Sequence, residues 1–180
     1  MREVFSKPWF KYLRKPQQEL VRLSVLLYER ERRSTVVLSD YSFVIFPMSK
    51  AYEGFLKQYL YDCELIDERT YHSRRFRIGR AINPDVRENQ RDEYWLYDDL
   101  VHMCGKPLAQ QLWQTWLTCR NRVFHYFPNR KLLFSFEIAT EYVQLITETM
   151  QDAHTCQLEL EVPAKKEPSA QSKQSGKSSR

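Results

Sequence analysis

The four cysteines, Cys63, Cys104, Cys119 and Cys156, include no closely spaced pair of the kind a zinc site uses, and they do not form the framework of a small secreted disulfide protein. They are expected to be buried thiols in a reducing cytoplasm. The N-terminal stretch MREVFSKPWFKYLRKP lacks the apolar segment of a signal peptide, and the chain contains no run of about 18 apolar residues. Neither export nor a membrane span is expected. No repeat period is visible, and no metal or cofactor site is offered by the spacing of His, Cys and acidic residues.

What is present is an aromatic-rich body, with 11 Tyr and 10 Phe among 180 residues. That is enough apolar surface to offset an ordering cost of about 1–2 kcal/mol per residue. The net charge of +5 is unevenly spread. Residues 163–180 hold five Lys or Arg and one Glu, a net +4, so that +5 less +4 leaves only +1 for residues 1–162. The tail, PAKKEPSAQSKQSGKSSR, has no aromatic and almost no aliphatic residue, so a disordered basic tail is expected behind one domain over 1–162. Within the body, RTYHSRRFRIGR gathers Arg69, Arg74, Arg75, Arg77 and Arg80 with no acid between Glu68 and Asp85. Such a cluster attracts phosphate, with Arg75, Arg77 and Arg80 as candidate RNA contacts, or else docks an acidic partner.

The hydrophobic pattern predicts a mostly α bundle. Helices are expected over 17–33, from Ser49 as a cap to about Leu65, and over 92–103. The third is stopped by Gly105, and the next opens at Pro107. STVVLSDYSFVIFP, rich in β-branched and aromatic residues, predicts a short extended or β element near 34–46. On the Pro107 helix, at about 100° per residue, Leu108, Leu112, Trp116, Cys119 and Val123 form the core stripe. Arg120 lies at its margin, and Asn121 and His125 lie on the opposite side. Ser135 is the expected cap of the last helix, with Ile138, Tyr142, Leu145, Ile146 and Thr149 facing inward.

Arg120 and His125 carry chemistry that RNA cleavage requires. The 2′-hydroxyl of RNA attacks the neighbouring phosphorus once its proton is removed, and negative charge then grows on the phosphoryl oxygens. Histidine suits the proton transfer at neutral pH, and the arginine fork suits the charge. A separate acid must protonate the departing 5′-oxygen. A symmetric dimer supplies both by bringing two histidines to one cleft. Asn121 could orient the imidazole or touch phosphate.

An all-helical body with Arg-Asn at the end of a core helix, His125 five positions after Arg120, a proline-terminated loop and one more helix resembles the HEPN ribonuclease superfamily. SDYSFVIFPMSKAYEGFLKQYL, FRIGRAINPD and LWQTWLTCRNRVFHYFP look closest to the C-terminal, antitoxin-binding HEPN domain of the RNase LS toxins, the RnlA and LsoA type, over roughly residues 17–154. The resemblance implies a homodimeric, metal-independent endoribonuclease, a toxin or phage-defence effector that cuts mRNA and is restrained by a protein antitoxin. It implies Arg120 and His125 as the catalytic pair and adds Lys50 and Glu53, one turn apart on the earlier helix, with Lys50 standing where the family has arginine. The family's long toxins carry further N-terminal domains, so a stand-alone version or a paralogue is expected. The tyrosine that some HEPN toxins carry two positions after the histidine is replaced by Phe127, with Tyr126 beside His125.

Two other readings remain open from the residues: a non-catalytic HEPN module that scaffolds a protein partner, and a helical interaction protein in which the Arg and His spacing is accidental.

Overall fold

The computed structural model describes residues 1–125, 128 and 133–161. The tail expected over 163–180, and the positions of Tyr126 and Phe127, lie outside the described residues. The chain is all-α, with no strand among the described residues. Its helices are α1 (Pro8–Tyr12), α2 (Lys15–Glu31), α3 (Ser42–Asp62), α4 (Glu68–His72), α5 (Ile78–Ala81), α6 (Tyr97–Thr115), α7 (Arg122–Phe124) and α8 (Phe136–Glu161). A π-helical turn, Trp116–Asn121, joins α6 to α7. No helix among the described residues is long and apolar enough to cross a membrane.

The central element is α3, which packs against α2, α8 and the π turn. Helical spacing predicts an inner face of Ala51, Phe55, Tyr59 and Asp62 with Tyr52, Leu56 and Leu60 beside it, and all of these are buried except Asp62, which is exposed at the end of the helix. The rings of Tyr52, Phe55 and Tyr59 stack in series at 6.3 and 5.7 Å. Tyr52 donates its buried hydroxyl to the Leu112 carbonyl at 2.9 Å, satisfying the one polar atom that its burial would otherwise orphan.

The extended element expected over 34–46 is corrected. Residues 34–41 carry no strand pairing, and α3 begins at Ser42, seven positions before the expected cap. Asp40 fixes that start, because its carboxylate accepts the Ser42 N–H at 3.2 Å and the Ser42 hydroxyl at 2.7 Å. The apolar run that follows is buried at Val44 and Ile45. A short apolar run fits a buried helix as well as a strand, and here it lies at the start of α3, a helix that packs against α2 and α8. Pro47 sits inside the helix at the cost of one backbone bond. Ser49 is not a cap: it is fully buried, and its hydroxyl has the carbonyls of Ile45 and Cys119 within reach.

The break in α6 matches expectation, since Gly105 takes φ +80° and Pro107 resumes the helix, although α6 starts at Tyr97 rather than Asp92. Ser135 accepts the Ile138 N–H at 3.3 Å as the expected cap of α8. Of the inner face expected for α8, Ile146 and Thr149 are fully buried and Tyr142 and Leu145 pack against the core, whereas Ile138 is exposed; Ala139, Val143, Met150 and Ala153 complete the buried face. The thiol expectation fails for two cysteines. Cys104, just before the Gly105 break, is disulfide-bonded to Cys156 on α8, with a Cα–Cα separation of 6.0 Å, whereas Cys63 and Cys119 form no disulfide.

Candidate functional site

The π turn decides how the arginine is presented. It takes one residue more than an α turn, so carbonyls leave the regular ladder and later side chains are set back around the axis. One of those carbonyls, that of Cys119, is met by the Ser49 hydroxyl of α3. Cys119 itself is fully buried, and burial pushes its thiol up to about 12, which leaves it protonated and inert at neutral pH. Trp116, expected on the core stripe, is only partly buried and stacks on Trp113 at 5.7 Å. Gly79 of α5 lies directly beneath the Trp116 ring, where a Cβ would collide with it. The lack of a side chain there is what lets α5 approach.

Arg120 leaves this turn toward α3. Its Nε donates to Oε2 of Glu53 at 3.0 Å, and its Nη2 lies 3.0 Å from the same oxygen as an ion pair. Its guanidinium also lies 5.5 Å from the Trp116 ring centroid and 5.1 Å from that of Phe124, within cation–π range of both. The side chains of Arg120 and Glu53 keep 25 % and 36 % of their exposure, so the pair is only partly withdrawn from water. A guanidinium has five N–H donors, and Glu53 engages two of its three nitrogens, so donors remain for an incoming anion.

The face of α3 that bears Glu53 explains the rest of the arrangement. Phe46, Lys50 and Glu53 are spaced i, i+4, i+7 and share one side of the helix. Phe46 packs on Phe124 at 4.7 Å, Glu53 holds Arg120, and exposed Lys50 stands between these two contacts. Helix α7 ends at Phe124, and His125 follows as its C-cap in extended conformation (φ −111°, ψ 133°), exposed as the helical pattern predicts. Asn121, half-buried, adjoins Arg120 in the π turn. Glu53 and Arg120 are thus in direct contact, Lys50 shares their surface, and His125 borders it through Phe124.

The arginine cluster forms a second feature. Arg69, Arg75, Arg77 and Arg80 line a cleft of about 650 Å³ between α4, α5 and the segment before α6. Arg80 is not a free cation, because its Nη2 donates to Asp92 at 2.8 Å and to the Gln90 carbonyl at 2.6 Å. Helix α5, which carries Arg80 of this cleft, also packs against the π turn, where Gly79 lies against the Trp116 ring. Among the described residues no cluster of His, Cys, Asp and Glu is grouped to hold a metal ion.

Sequence reasoning missed Phe46, Trp116 and Phe124 as the aromatic frame of Arg120. The signal was present: once α3 is extended back to Ser42, Phe46 falls in register with Lys50 and Glu53. No protein-family model, curated protein or solved structure matches the chain.

Proposed function

We propose that the chain is a metal-independent endoribonuclease of the HEPN type, cutting single-stranded RNA as a homodimer and restrained by a protein antitoxin or similar regulator. The observation that carries this reading is the meeting of Glu53 with Arg120 beside Lys50, with exposed His125 next in the chain to Phe124, whose ring Arg120 covers. Residues from two separate helices that the family resemblance implicates lie on one outward face.

In the proposed reaction one His125 takes the proton of the RNA 2′-hydroxyl as its oxygen attacks phosphorus. The phosphorus–5′-oxygen bond breaks, and the His125 of a second chain gives its proton to the leaving oxygen. The products are a 2′,3′-cyclic phosphate and a free 5′-hydroxyl. Arg120, held in one orientation by Glu53 and two aromatic rings, directs its remaining donors at the phosphoryl oxygens. Donors preorganised in this way act on charge that develops only in the transition state. Asn121 positions the phosphate or the imidazole, Lys50 adds positive charge, and Arg75, Arg77 and Arg80 draw RNA to the surface.

The test is incubation of purified protein with single-stranded RNA in EDTA, followed by end-group analysis. Cleavage to cyclic or 3′-phosphate ends is expected, and strict dependence on added Mg²⁺ or Mn²⁺ would overturn the mechanism. One observation favours a second reading, a non-catalytic binding module: the Glu53–Arg120 ion pair also ties α3 to the π turn, a task any stable scaffold would require. In that case Arg120→Ala would lower stability in a protein that never cuts RNA.

A further inference from the structure

The 650 Å³ cleft is larger and more elaborate than a basic patch needs to be. Four arginines face two aspartates across it, a local excess of +2, and both aspartates are already engaged. Asp67 accepts the Thr70 N–H at 2.8 Å as a helix cap, and hydrogen bonding from the Thr70 hydroxyl, with that from its N–H, holds the Asp67 carboxyl below the usual range. Asp92 is bound to Arg80 at 2.8 Å. Arg69, Arg75 and Arg77 form no ion pair with any carboxylate among the described residues, so their charge is available to a ligand.

The cleft also has an aromatic wall. Phe76, between Arg75 and Arg77, meets Tyr94 edge-on at 6.3 Å, and Tyr94 is 47 % exposed. Tyr94 is held over the cleft by bonds on either side of it. Its own N–H donates to Asp92, Trp95 Nε1 donates to the Asn83 carbonyl at 2.8 Å, and the Leu96 N–H donates to the Ala81 carbonyl at 2.7 Å. An exposed aromatic face beside unpaired arginines is the combination that grips a base and its phosphate together. The volume falls within the range of small-molecule sites, about 300–1,000 Å³.

We infer that this cleft is a nucleotide-binding site, with the phosphate on Arg75 and Arg77 and the base against Tyr94. The inference deepens the ribonuclease reading and rests on it only for the source of the ligand, which is either a nucleotide within an RNA strand or a free mononucleotide.

Calorimetric titration of the full chain carrying His125→Ala, which cannot cut the probe under the ribonuclease reading, tests the site. The probes are AMP, UMP, ribose 5-phosphate, inorganic phosphate, hexauridylate and hexaglutamate. AMP or hexauridylate is expected to bind more tightly than ribose 5-phosphate or inorganic phosphate. Tyr94→Ala should weaken base-bearing probes about tenfold while leaving phosphate unchanged, and Tyr94→Phe should restore them. Arg75→Gln and Arg77→Gln should weaken every phosphate-bearing probe. Hexauridylate binding through these residues without AMP or UMP binding assigns the RNA strand as the source, whereas equal binding of AMP assigns the free nucleotide. No binding of any nucleotide, indifference to Tyr94→Ala, or hexaglutamate binding more tightly than hexauridylate would each overturn the site; the last would make it a dock for an acidic protein segment. The ribonuclease reading is judged separately, by cleavage with His125 intact.

Discussion

Arg120 and Glu53 are separated by 67 positions in the chain, yet two guanidinium nitrogens of the first sit 3.0 Å from one carboxylate oxygen of the second. The contact fixes a flexible side chain that stays partly exposed, and it joins α3 to the π turn. A pair this exposed contributes about 0.5–1 kcal/mol to stability, which a double-mutant cycle on Arg120→Ala and Glu53→Ala should recover as coupling in urea denaturation. In cleavage assays the two residues should differ. Arg120→Ala removes donors from the developing charge and is expected to cost about 10²–10³-fold. Glu53→Gln keeps an acceptor for Arg120 and should cost less than Glu53→Ala. The positioning role fails if Gln and Ala at 53 are equally damaging.

His125 is exposed just past the end of α7. Its replacement by alanine should leave the melting temperature nearly unchanged and abolish cleavage. In a mixed dimer of one His125→Ala and one wild-type chain, either the base or the acid is missing from the shared cleft, so far less than half the activity should remain. Retention of half or more would mean that each chain works alone.

Gly79 and Gly54 provide a paired test of packing. Alanine in a helix is favoured over glycine by about 0.5–1 kcal/mol, all else equal. At Gly54 the new Cβ would lie 2.9 Å from Nε2 and 3.1 Å from Cγ of buried Gln17, whose Oε1 accepts the Arg14 N–H at 2.7 Å, so a small shift of that side chain should cancel the helix gain and leave Gly54→Ala near neutral. At Gly79 it meets the Trp116 indole, which is itself stacked on Trp113. Overpacking of about 1–3 kcal/mol should outweigh the helix gain, and a change in tryptophan fluorescence should accompany the loss.

The Cys104–Cys156 bond closes a span of 52 residues between the first half of α6 and α8. A link of this length restricts the unfolded chain and is worth about 2–4 kcal/mol. Reduction with dithiothreitol, or Cys156→Ser, should therefore lower the thermal midpoint by several degrees. An unchanged midpoint would show that α6 and α8 are held by packing alone.

The parts of the fold legible in the sequence were those governed by local chemistry. The inner face of α3 follows from helical spacing, the α6 break from Gly105 and Pro107, and the start of α8 from Ser135. The motif resemblance singled out Lys50 and Glu53 on the earlier helix and Arg120 separately; that the Glu53 and Arg120 side chains meet is known only from the structure. The rest depends on contacts between distant segments. Val44 and Ile45 read as a strand because nothing near them in sequence announces that they will be buried within a helix packed on distant α2 and α8. The partners Cys104 and Cys156 cannot be paired from spacing. The π turn depends on Ser49 meeting the Cys119 carbonyl across the core, so a uniform helical wheel misplaced Trp116.

The buried acids of this core give the protein an alkaline limit. Burial raises the Cys119 thiol to about 12 and pushes the phenols of Tyr52 and Tyr59 well above their ordinary value. In the unfolded chain the same groups ionise near pH 8.5 for the thiol and about 10 for the phenols. Because the folded state holds these protons more tightly, the associated stability is fully present below pH 8.5. It is lost as pH rises, first through the thiol and then through the phenols. Each group that ionises only on unfolding adds up to about 1.4 kcal/mol of loss per pH unit. Urea midpoints measured from pH 7 to 10 should therefore fall, with the slope steepening near pH 10. Cys119→Ala opens a small cavity and should lower the midpoint at pH 7, yet its decline between pH 8.5 and 10 should be shallower than that of the wild type. Parallel declines would mean that Cys119 titrates in the folded protein as it does in water, and the tight contact of the π turn with α3 would have to be abandoned.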